Sequence, residues 1–152
     1  MNIIGITLGD VCGIGPEVVI KAINLLQGKY PTPLLIIGDA RAFKHFCAQW
    51  LDGRDILPID SPSSARFEPD ILNILDLKNI NLEHIIQGKI CPEAGRASVE
   101  YIKTAVSLAL SDEISGIVTA PISKEAIHKA GFSYPGHTQL LAELTSATEY
   151  AM

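Results

Sequence analysis

The sequence predicts an α/β protein in which a largely parallel sheet lies between two layers of helices. Short apolar, β-branched runs alternate with segments whose apolar residues recur at helical spacing, and this alternation is typical of βαβ units. With 47% hydrophobic and 19% charged residues, the chain has the composition of a globular protein. Its 152 residues suffice for one buried core, so we expect a single α/β unit over residues 1–152.

The first part of the chain contains two strand-helix units. Residues 2–8 form an apolar run that ends before Gly9, and Pro16 then stands where the first turn of a helix tolerates proline. The run PLLIIG at 33–38 predicts a second buried strand, and Asp39 is a suitable N-cap for the helix that follows it. The order of strand, loop and helix therefore occurs twice.

The middle of the chain has a weaker pattern and then one long helix. Between residues 53 and 92 the runs DILPI and DILNILDL predict short strands, separated by a loop rich in proline and serine. Residues 92–113 carry an apolar stripe that includes Val99, Ile102 and Leu110. This stripe predicts a helix that packs one face on the sheet.

The loop GDVCGIGPE raises the question of phosphate binding. Its glycines, Gly9, Gly13 and Gly15, have the spacing GxxxGxG, which matches neither the GxGxxG dinucleotide loop nor the Walker loop. Glycines before a helix can still bring backbone N–H groups close to an anion, but Asp10 and Glu17 would repel it. We favour a role in turning and packing, with direct phosphate binding as the alternative.

A candidate ligand site follows the strand predicted by SGIVTAP. Ligands of parallel sheets gather beyond the carboxyl ends of the strands, and Thr119 and Lys124 lie just past this end. Ser123 can cap a helix that runs to Ala130. The alternative to ligand contact is a helix cap for Ser123 and a solvated ammonium for Lys124.

His137 and Thr138 stand at the start of the last helix, predicted at 139–147. Thr138 can cap that helix, and His137 can either stabilise the Pro-Gly turn or bind a ligand. Together with Lys124, they offer an imidazole, a hydroxyl and an ammonium to an anionic, hydroxylated ligand. Their proximity along the chain favours a binding site over isolated structural roles.

The remaining histidines and the cysteines show no pattern of a metal site. His45 and His84 have no partner motif, and His128 is predicted on an exposed helix face. The chain has three cysteines, Cys12, Cys47 and Cys91. Because they are far apart and form no CxxC motif, we expect reduced thiols. At Cys12 we favour a packing role over a reactive thiol.

The charge pattern argues against nucleic acid as a partner. Seventeen acidic and twelve basic residues give a net charge of -5, and the basic side chains are scattered. The N-terminal residues lack the features of a secretory leader, and no apolar run reaches the length of a membrane span. We therefore expect a soluble, cytoplasmic protein without a membrane partner.

Four blocks of the sequence carry a resemblance to a known family. In chain order they are ITLGDVCGIGPEVVIKA, EAGRASVEYIKTAV, GIVTAPISKEAIHKAGF and YPGHTQLLAELT. Together they resemble the 4-hydroxythreonine-4-phosphate dehydrogenase family of vitamin B6 (pyridoxal 5'-phosphate) biosynthesis. The resemblance extends over this whole sequence, which corresponds to roughly the N-terminal half of a family member.

The resemblance implies a fold and an activity. The fold would be the N-terminal portion of a two-domain enzyme like isocitrate and isopropylmalate dehydrogenases, which acts as a homodimer. The substrate would be a small phosphorylated hydroxy amino acid, 4-phosphooxy-L-threonine, oxidised at C3 with NAD(P) and decarboxylated to 3-amino-2-oxopropyl phosphate. A divalent metal (zinc, magnesium or cobalt), held by three histidines, would polarise the hydroxyl.

The resemblance also assigns site residues. Its GHT motif implies that His137 and Thr138 bind substrate, and the TAPISK segment places Thr119 and Lys124 as pocket-lining residues. The family's metal-binding histidines and phosphate-binding residues follow the GHT block, beyond Met152. We therefore expect no metal ligand in this chain and no activity from this chain alone.

Two departures from the family pattern and two alternatives accompany this reading. Val11 and Cys12 replace a Pro-Ala pair, and Gln139 stands where the family has glutamate, so a general base at that position is in doubt. One alternative is a relative that acts on another hydroxy-acid phosphate or on a dihydrodiol. The other is a non-catalytic module for ligand binding or dimerisation.

Overall fold

The architecture is an α/β fold around one parallel sheet. The computed structural model describes residues 2–26, 28–29 and 32–150, and the ends of the predicted unit, residues 1 and 151–152, lie outside this part. The strands of the described part are β1 (Ile4–Thr7), β2 (Leu34–Gly38), β3 (Asp55–Ile59), β4 (Ile71–Asp76) and β5 (Gly116–Thr119). They pair in parallel in the order β3-β4-β2-β1-β5. The predicted fold class is confirmed.

Helices connect most of these strands and cover both faces of the sheet. They are α1 (Gly15–Leu26), α2 (Ala40–Cys47), α3 (Pro92–Leu110), α4 (Lys124–Lys129) and α5 (His137–Thr145). The steps from β1 to β2 and from β2 to β3 run in one direction along the sheet, whereas the step from β4 to β5 runs in the other. Right-handed crossovers therefore place α1 and α2 on one face and α3 on the opposite face.

Local sequence signals fix several of these elements. Asp39 caps α2 by accepting a hydrogen bond from the Ala42 backbone N–H at 2.9 Å, and Ser123 caps α4 through the N–H of Ala126 at 3.2 Å. Both caps are as predicted. The predicted strands in the weak middle segment are confirmed as β3 and β4. Within the described residues, none of the helices has the combined length and apolarity needed to span a bilayer.

Helix α3 corrects one prediction, because it is buried on two sides. Its Tyr101 and Ala105 belong to the core that includes the sheet, whereas Val99 and Ile102 pack with residues of α4 and α5. Leu110, predicted in the buried stripe, is 65% exposed because it lies at the end of the helix. The helix therefore packs against the sheet on one side and against two helices on the other.

A glycine makes the contact between α3 and α4 possible. A Cβ atom on Gly95 would lie 2.3 Å from the backbone carbon of Ala126 and 2.7 Å from the nitrogen of Ile127. Such distances are far below van der Waals contact, so only glycine lets the two helix backbones approach this closely. The glycine of the EAGRA segment therefore positions α4, which begins directly after the candidate ligand site.

Candidate functional site

The glycine loop after β1 packs against the chain that leaves β5. Gly9 has a positive φ of 68°, and a Cβ atom there would lie 2.4 Å from the carbonyl oxygen of Pro121. The backbone N–H of Asp10 donates a hydrogen bond to that same carbonyl at 2.9 Å. This loop and the segment after β5 therefore form one unit at the carboxyl ends of the two strands.

The loop uses its own backbone donors internally. The Asp10 carboxylate accepts from the N–H of Cys12 at 2.8 Å, and the Asp10 carbonyl accepts from the N–H of Gly13 at 3.1 Å. Burial raises the pKa of Asp10, and hydrogen bonds from these two N–H groups oppose that rise. Since these donors are already bonded, they are not directed at a phosphate. This geometry favours the turn and packing role of the loop.

The side chains predicted after β5 lie around the chain from Thr119 to Lys124. Thr119 is half-buried and pairs with Thr7 of β1. Lys124 is exposed at the first position of α4, and its Cε atom lies 3.8 Å from where a Cβ atom on Gly136 would be. Gly136 directly precedes His137, so the structure brings Lys124 to the turn that carries the predicted histidine.

His137 is the half-buried first residue of α5. Burial lowers the pKa of its imidazole, and a hydrogen bond to the backbone of Ala120 opposes that effect. Its Nε2 atom is buried and has no hydrogen-bond partner among the described residues. The imidazole therefore has one buried nitrogen, Nε2, that no described residue satisfies.

Thr7 is a site residue that the sequence did not indicate. Its side chain is fully buried at the carboxyl end of β1, and its Oγ1 atom has no hydrogen-bond partner among the described residues. The Thr7 carbonyl accepts a hydrogen bond from the N–H of Ala120 at 3.3 Å. Unpaired buried polar atoms are uncommon and require an explanation. Thr7 and His137 carry such atoms, and both contact Ala120.

Thr138 has a different position from the one predicted for a helix cap. Helix α5 begins at His137, two residues earlier than expected, and Gly136 is its N-cap residue without a side-chain hydrogen bond. The prediction that Thr138 caps this helix is therefore wrong, because the helix already includes it. Thr138 is half-buried in the first turn of α5, beside His137.

The described residues do not form a site for the metal implied by the family resemblance. Within the described ranges, no three His, Cys, Asp or Glu side chains converge as metal ligands require. His128 is exposed on α4, as predicted, and His84 contacts Glu93 at 3.0 Å. In the glycine loop, the N–H groups of Asp10, Cys12 and Gly13 already have partners, and the spacing of its glycines does not match a dinucleotide loop.

A large cavity lies at the opposite end of the sheet. It has a volume of about 770 Å³ and is bordered by Ile4, Leu34 and Ile71 at the amino ends of three strands. Its wall is mostly apolar and includes the buried Arg54, whose guanidinium donates to the Leu51 carbonyl at 3.1 Å. Thr119, Lys124, His137 and Thr138 do not line it. The large cavity therefore lies at the amino ends of the strands, whereas the predicted polar site residues lie together at the carboxyl ends.

Comparisons with known proteins agree with the family resemblance. The family model described as pyridoxal phosphate biosynthetic protein PdxA matches residues 29–152. A D-threonate 4-phosphate dehydrogenase from Salmonella typhimurium is 39% identical over 150 residues, which are 98% of this chain and 46% of that protein. A 4-hydroxythreonine-4-phosphate dehydrogenase from Trichlorobacter lovleyi is 38% identical over 98% of this chain and 45% of its own length.

A solved structure gives the same result in three dimensions. The crystal structure of a 4-hydroxythreonine-4-phosphate dehydrogenase from Burkholderia phymatum superposes with a TM-score of 0.90 at 39% identity. The match covers 98% of this chain and 45% of that one. The chain thus spans about half the length of the curated relatives it matches.

Proposed function

Because the chain belongs to the PdxA family, we propose that it supplies the N-terminal part of an NAD(P)-dependent dehydrogenase for a small phosphorylated hydroxy acid. The proposed reaction removes a hydride from C3 of 4-phosphooxy-L-threonine and a proton from the hydroxyl group on that carbon. The resulting β-keto acid loses carbon dioxide to give 3-amino-2-oxopropyl phosphate, in vitamin B6 biosynthesis. The observation that carries the proposal is the buried, unpaired Nε2 of His137 beside Thr138, within the family's GHT motif.

His137 would bind substrate as a hydrogen-bond acceptor. In the tautomer that we propose, Nδ1 carries the single proton of the neutral ring. Burial keeps the imidazole neutral near pH 7, since it lowers the pKa. In the neutral ring, Nε2 then has a free lone pair. A substrate hydroxyl or amino group can donate to it.

Other side chains of the site would contact the remaining groups of the substrate. The Thr138 hydroxyl lies in the same helical turn as His137 and is not used as a cap. Lys124 can bring an ammonium to the turn before His137, where it would meet a phosphate or carboxylate. The unpaired hydroxyl of Thr7 is a further candidate contact. Thr119 would line the pocket.

The oxidation itself would depend on a nicotinamide cofactor and a divalent metal, which these residues do not hold. The nicotinamide cofactor supplies the hydride acceptor when bound. The described residues form neither a metal site nor a dinucleotide cradle at the glycine loop. We therefore propose that the chain alone is inactive, and that activity requires polypeptide equivalent to the other half of its relatives. We also propose that the complete protein acts as a homodimer and uses a divalent metal.

A chimera tests this proposal. The chain replaces the equivalent N-terminal part of the Trichlorobacter lovleyi relative, which is named a 4-hydroxythreonine-4-phosphate dehydrogenase, and NADH or NADPH formation is measured with a divalent metal and 4-phosphooxy-L-threonine. We expect turnover by the chimera and none by the 152-residue chain. His137→Ala should reduce kcat/KM by roughly 100-fold or more, because the site loses its acceptor. The matched control His128→Ala changes an exposed histidine of α4 and should retain activity.

The relative named D-threonate 4-phosphate dehydrogenase favours a second candidate substrate. D-threonate 4-phosphate carries a hydroxyl at C2, where 4-phosphooxy-threonine carries an amino group. Isothermal titration calorimetry measures the affinity of the chain for each of the two compounds. The preferred substrate is the one that binds more tightly and whose affinity falls in the His137→Ala variant. If neither compound binds and the folded chimera is also inactive, the chain is the non-catalytic module considered above.

A further inference from the structure

Two of the three cysteines meet in the fold although they lie far apart in the sequence. Cys12 is buried in the glycine loop, and Cys91 is the half-buried residue that directly precedes α3. Cys91 packs against the same apolar core that contains Cys12, and its thiol is close enough to raise the pKa of the Cys12 thiol. The sequence did not predict this pair, because 78 intervening residues separate them without any motif.

Backbone hydrogen bonds fix Cys12 within its loop and link it to the segment before Cys91. The Cys12 carbonyl accepts a hydrogen bond from the N–H of Gly88 at 2.7 Å, three residues before Cys91. The Cys12 thiol also accepts from the backbone N–H of Ile86, and its own N–H donates to the Asp10 carboxylate. The loop is therefore bonded to the segment that leads into α3, and the thiol contact is part of this arrangement.

The two thiols differ in accessibility. Burial, followed by the nearby Asp10 carboxylate, raises the pKa of the Cys12 thiol to about 12. Cys91 is partly exposed and directly precedes α3. Reagents in solution therefore reach Cys91 first, and Cys12 is positioned behind it.

We propose that Cys12 and Cys91 form a modification site, a dithiol that low-molecular-weight disulfides oxidise reversibly to an intramolecular disulfide. The Cys91 thiolate attacks one sulfur of the small disulfide, forms a mixed disulfide and releases one small thiol. Cys12 then loses its proton, attacks the Cys91 sulfur and releases the second small thiol. The two protein thiols are oxidised by two electrons, and the small disulfide is reduced to two thiols that carry the two protons.

The disulfide would tie the glycine loop covalently to the start of α3. The same loop bonds the Pro121 carbonyl through the Asp10 N–H, next to the Ala120 backbone that contacts His137. Oxidation would therefore restrict the loop beside the candidate ligand site. The inference concerns the thiols alone and stands independently of the proposed substrate.

Cys47 provides an internal control. It is fully buried in α2, and burial, with the Glu17 carboxylate as a smaller cause, raises the pKa of its thiol to about 12. It lies in a helix, apart from the loop and the N-cap position that hold the pair, and is expected to stay reduced under the same treatment. A Cys47→Ala variant leaves the pair unchanged, so that every remaining thiol belongs to it.

The test treats the folded 152-residue chain with oxidised glutathione, then denatures it, counts free thiols and maps linked peptides by mass spectrometry. We expect the wild-type chain to lose two of its three thiols, with one Cys12–Cys91 link that dithiothreitol reverses. Cys47→Ala should end with no free thiol. Cys91→Ser, which keeps a residue suited to precede a helix, should retain both remaining thiols.

Three results would overturn the inference. The first is a wild-type chain that keeps all three thiols after treatment. The second is a stable glutathione adduct on Cys91 as the end product, because Cys12 would then fail to resolve it. The third is equal loss of the Cys12 thiol in Cys91→Ser. Cys12→Ala restores the alanine of the related loops and should stop at the Cys91 adduct, which supports the assigned order of attack.

Discussion

The two ends of the parallel sheet differ in what they offer to a ligand. At the amino ends of the strands lies an apolar cavity of about 770 Å³. At the carboxyl ends, the chain packs closely around Ala120, and two buried polar atoms, Thr7 Oγ1 and His137 Nε2, have no partner in the part of the chain that the structure describes. Ligands of parallel sheets gather at the carboxyl ends, so the unpaired polar atoms locate the candidate site better than cavity volume does.

The largest expected effect concerns close packing at the carboxyl ends. Gly9 and Gly28 both have positive φ angles, but an added Cβ meets the Pro121 oxygen at 2.4 Å only at Gly9, and nothing within 4 Å at Gly28. We expect Gly9→Ala to lower the free energy of unfolding by on the order of 4 kcal/mol, from backbone strain plus overpacking. Gly28→Ala should cost about 1–2 kcal/mol.

Urea denaturation, followed by the fluorescence of the single tryptophan, Trp50, measures both values. An equal decrease in the free energy of unfolding for the two variants would contradict the expected difference between the two ends of the sheet. The carboxyl ends would then tolerate an added methyl group as well as the open amino end does. A Gly9→Ala variant that fails to fold agrees with the expected direction, and Gly28→Ala then provides the measurable reference.

The second expected effect compares two adjacent isoleucines of β2. Ile36 borders the large cavity, whereas Ile37 packs on the other face of the sheet. There the Cδ1 atoms of Ile37 and Ile114 both lie next to Gly5, 3.0 Å and 2.7 Å from where a Cβ atom on that glycine would be. We expect Ile37→Ala to cost about 3–4 kcal/mol and Ile36→Ala about 2 kcal/mol, because a side chain beside a cavity already lacks some contacts. Chemical denaturation of the two variants measures the difference. A larger loss for Ile36→Ala would indicate that the cavity is filled in solution.

Much of the fold was predictable because the signals were local. Periodicity defined the strands and helices, and the caps at Asp39 and Ser123 follow from side chains that bond their own neighbours. The GHT motif likewise marks His137 and Thr138 as candidate site residues, which stays a prediction. These features depend on residues within a few positions of one another, and a sequence displays such relations directly.

Other features depend on contacts between distant segments. Helix α3 is buried on two sides because Gly95 admits the backbone of Ala126, and no periodic pattern of α3 alone specifies what lies on its second face. Thr7 looks like an ordinary strand residue, and only its tertiary surroundings leave its hydroxyl unpaired. The contact between Cys12 and Cys91 likewise follows from the packing of the loop against α3.

The third expected effect is a pH dependence that arises at the carboxyl ends. Burial lowers the pKa of His137 in the folded chain. The imidazole of His137 therefore binds its second proton more tightly in the unfolded chain. Stability is therefore fully present above the unfolded pKa of about 6.5 and decreases as the pH falls from there toward the folded pKa. His137→Gln should flatten this slope between roughly pH 5 and 7. Urea midpoints across that range test this, and an unchanged slope would contradict the assigned burial.

The smallest expected effect separates structural hydroxyls from available ones at the carboxyl ends. The Ser123 hydroxyl caps α4, so Ser123→Ala should lower the free energy of unfolding by about 1 kcal/mol. Thr138 lies inside α5, whose N-cap is Gly136, so Thr138→Ala should change stability by less than about 0.5 kcal/mol. In the chimera, Thr138→Ala should still raise KM, because the fold leaves this hydroxyl free for the substrate. A large stability loss without a change in KM would instead assign Thr138 to the fold.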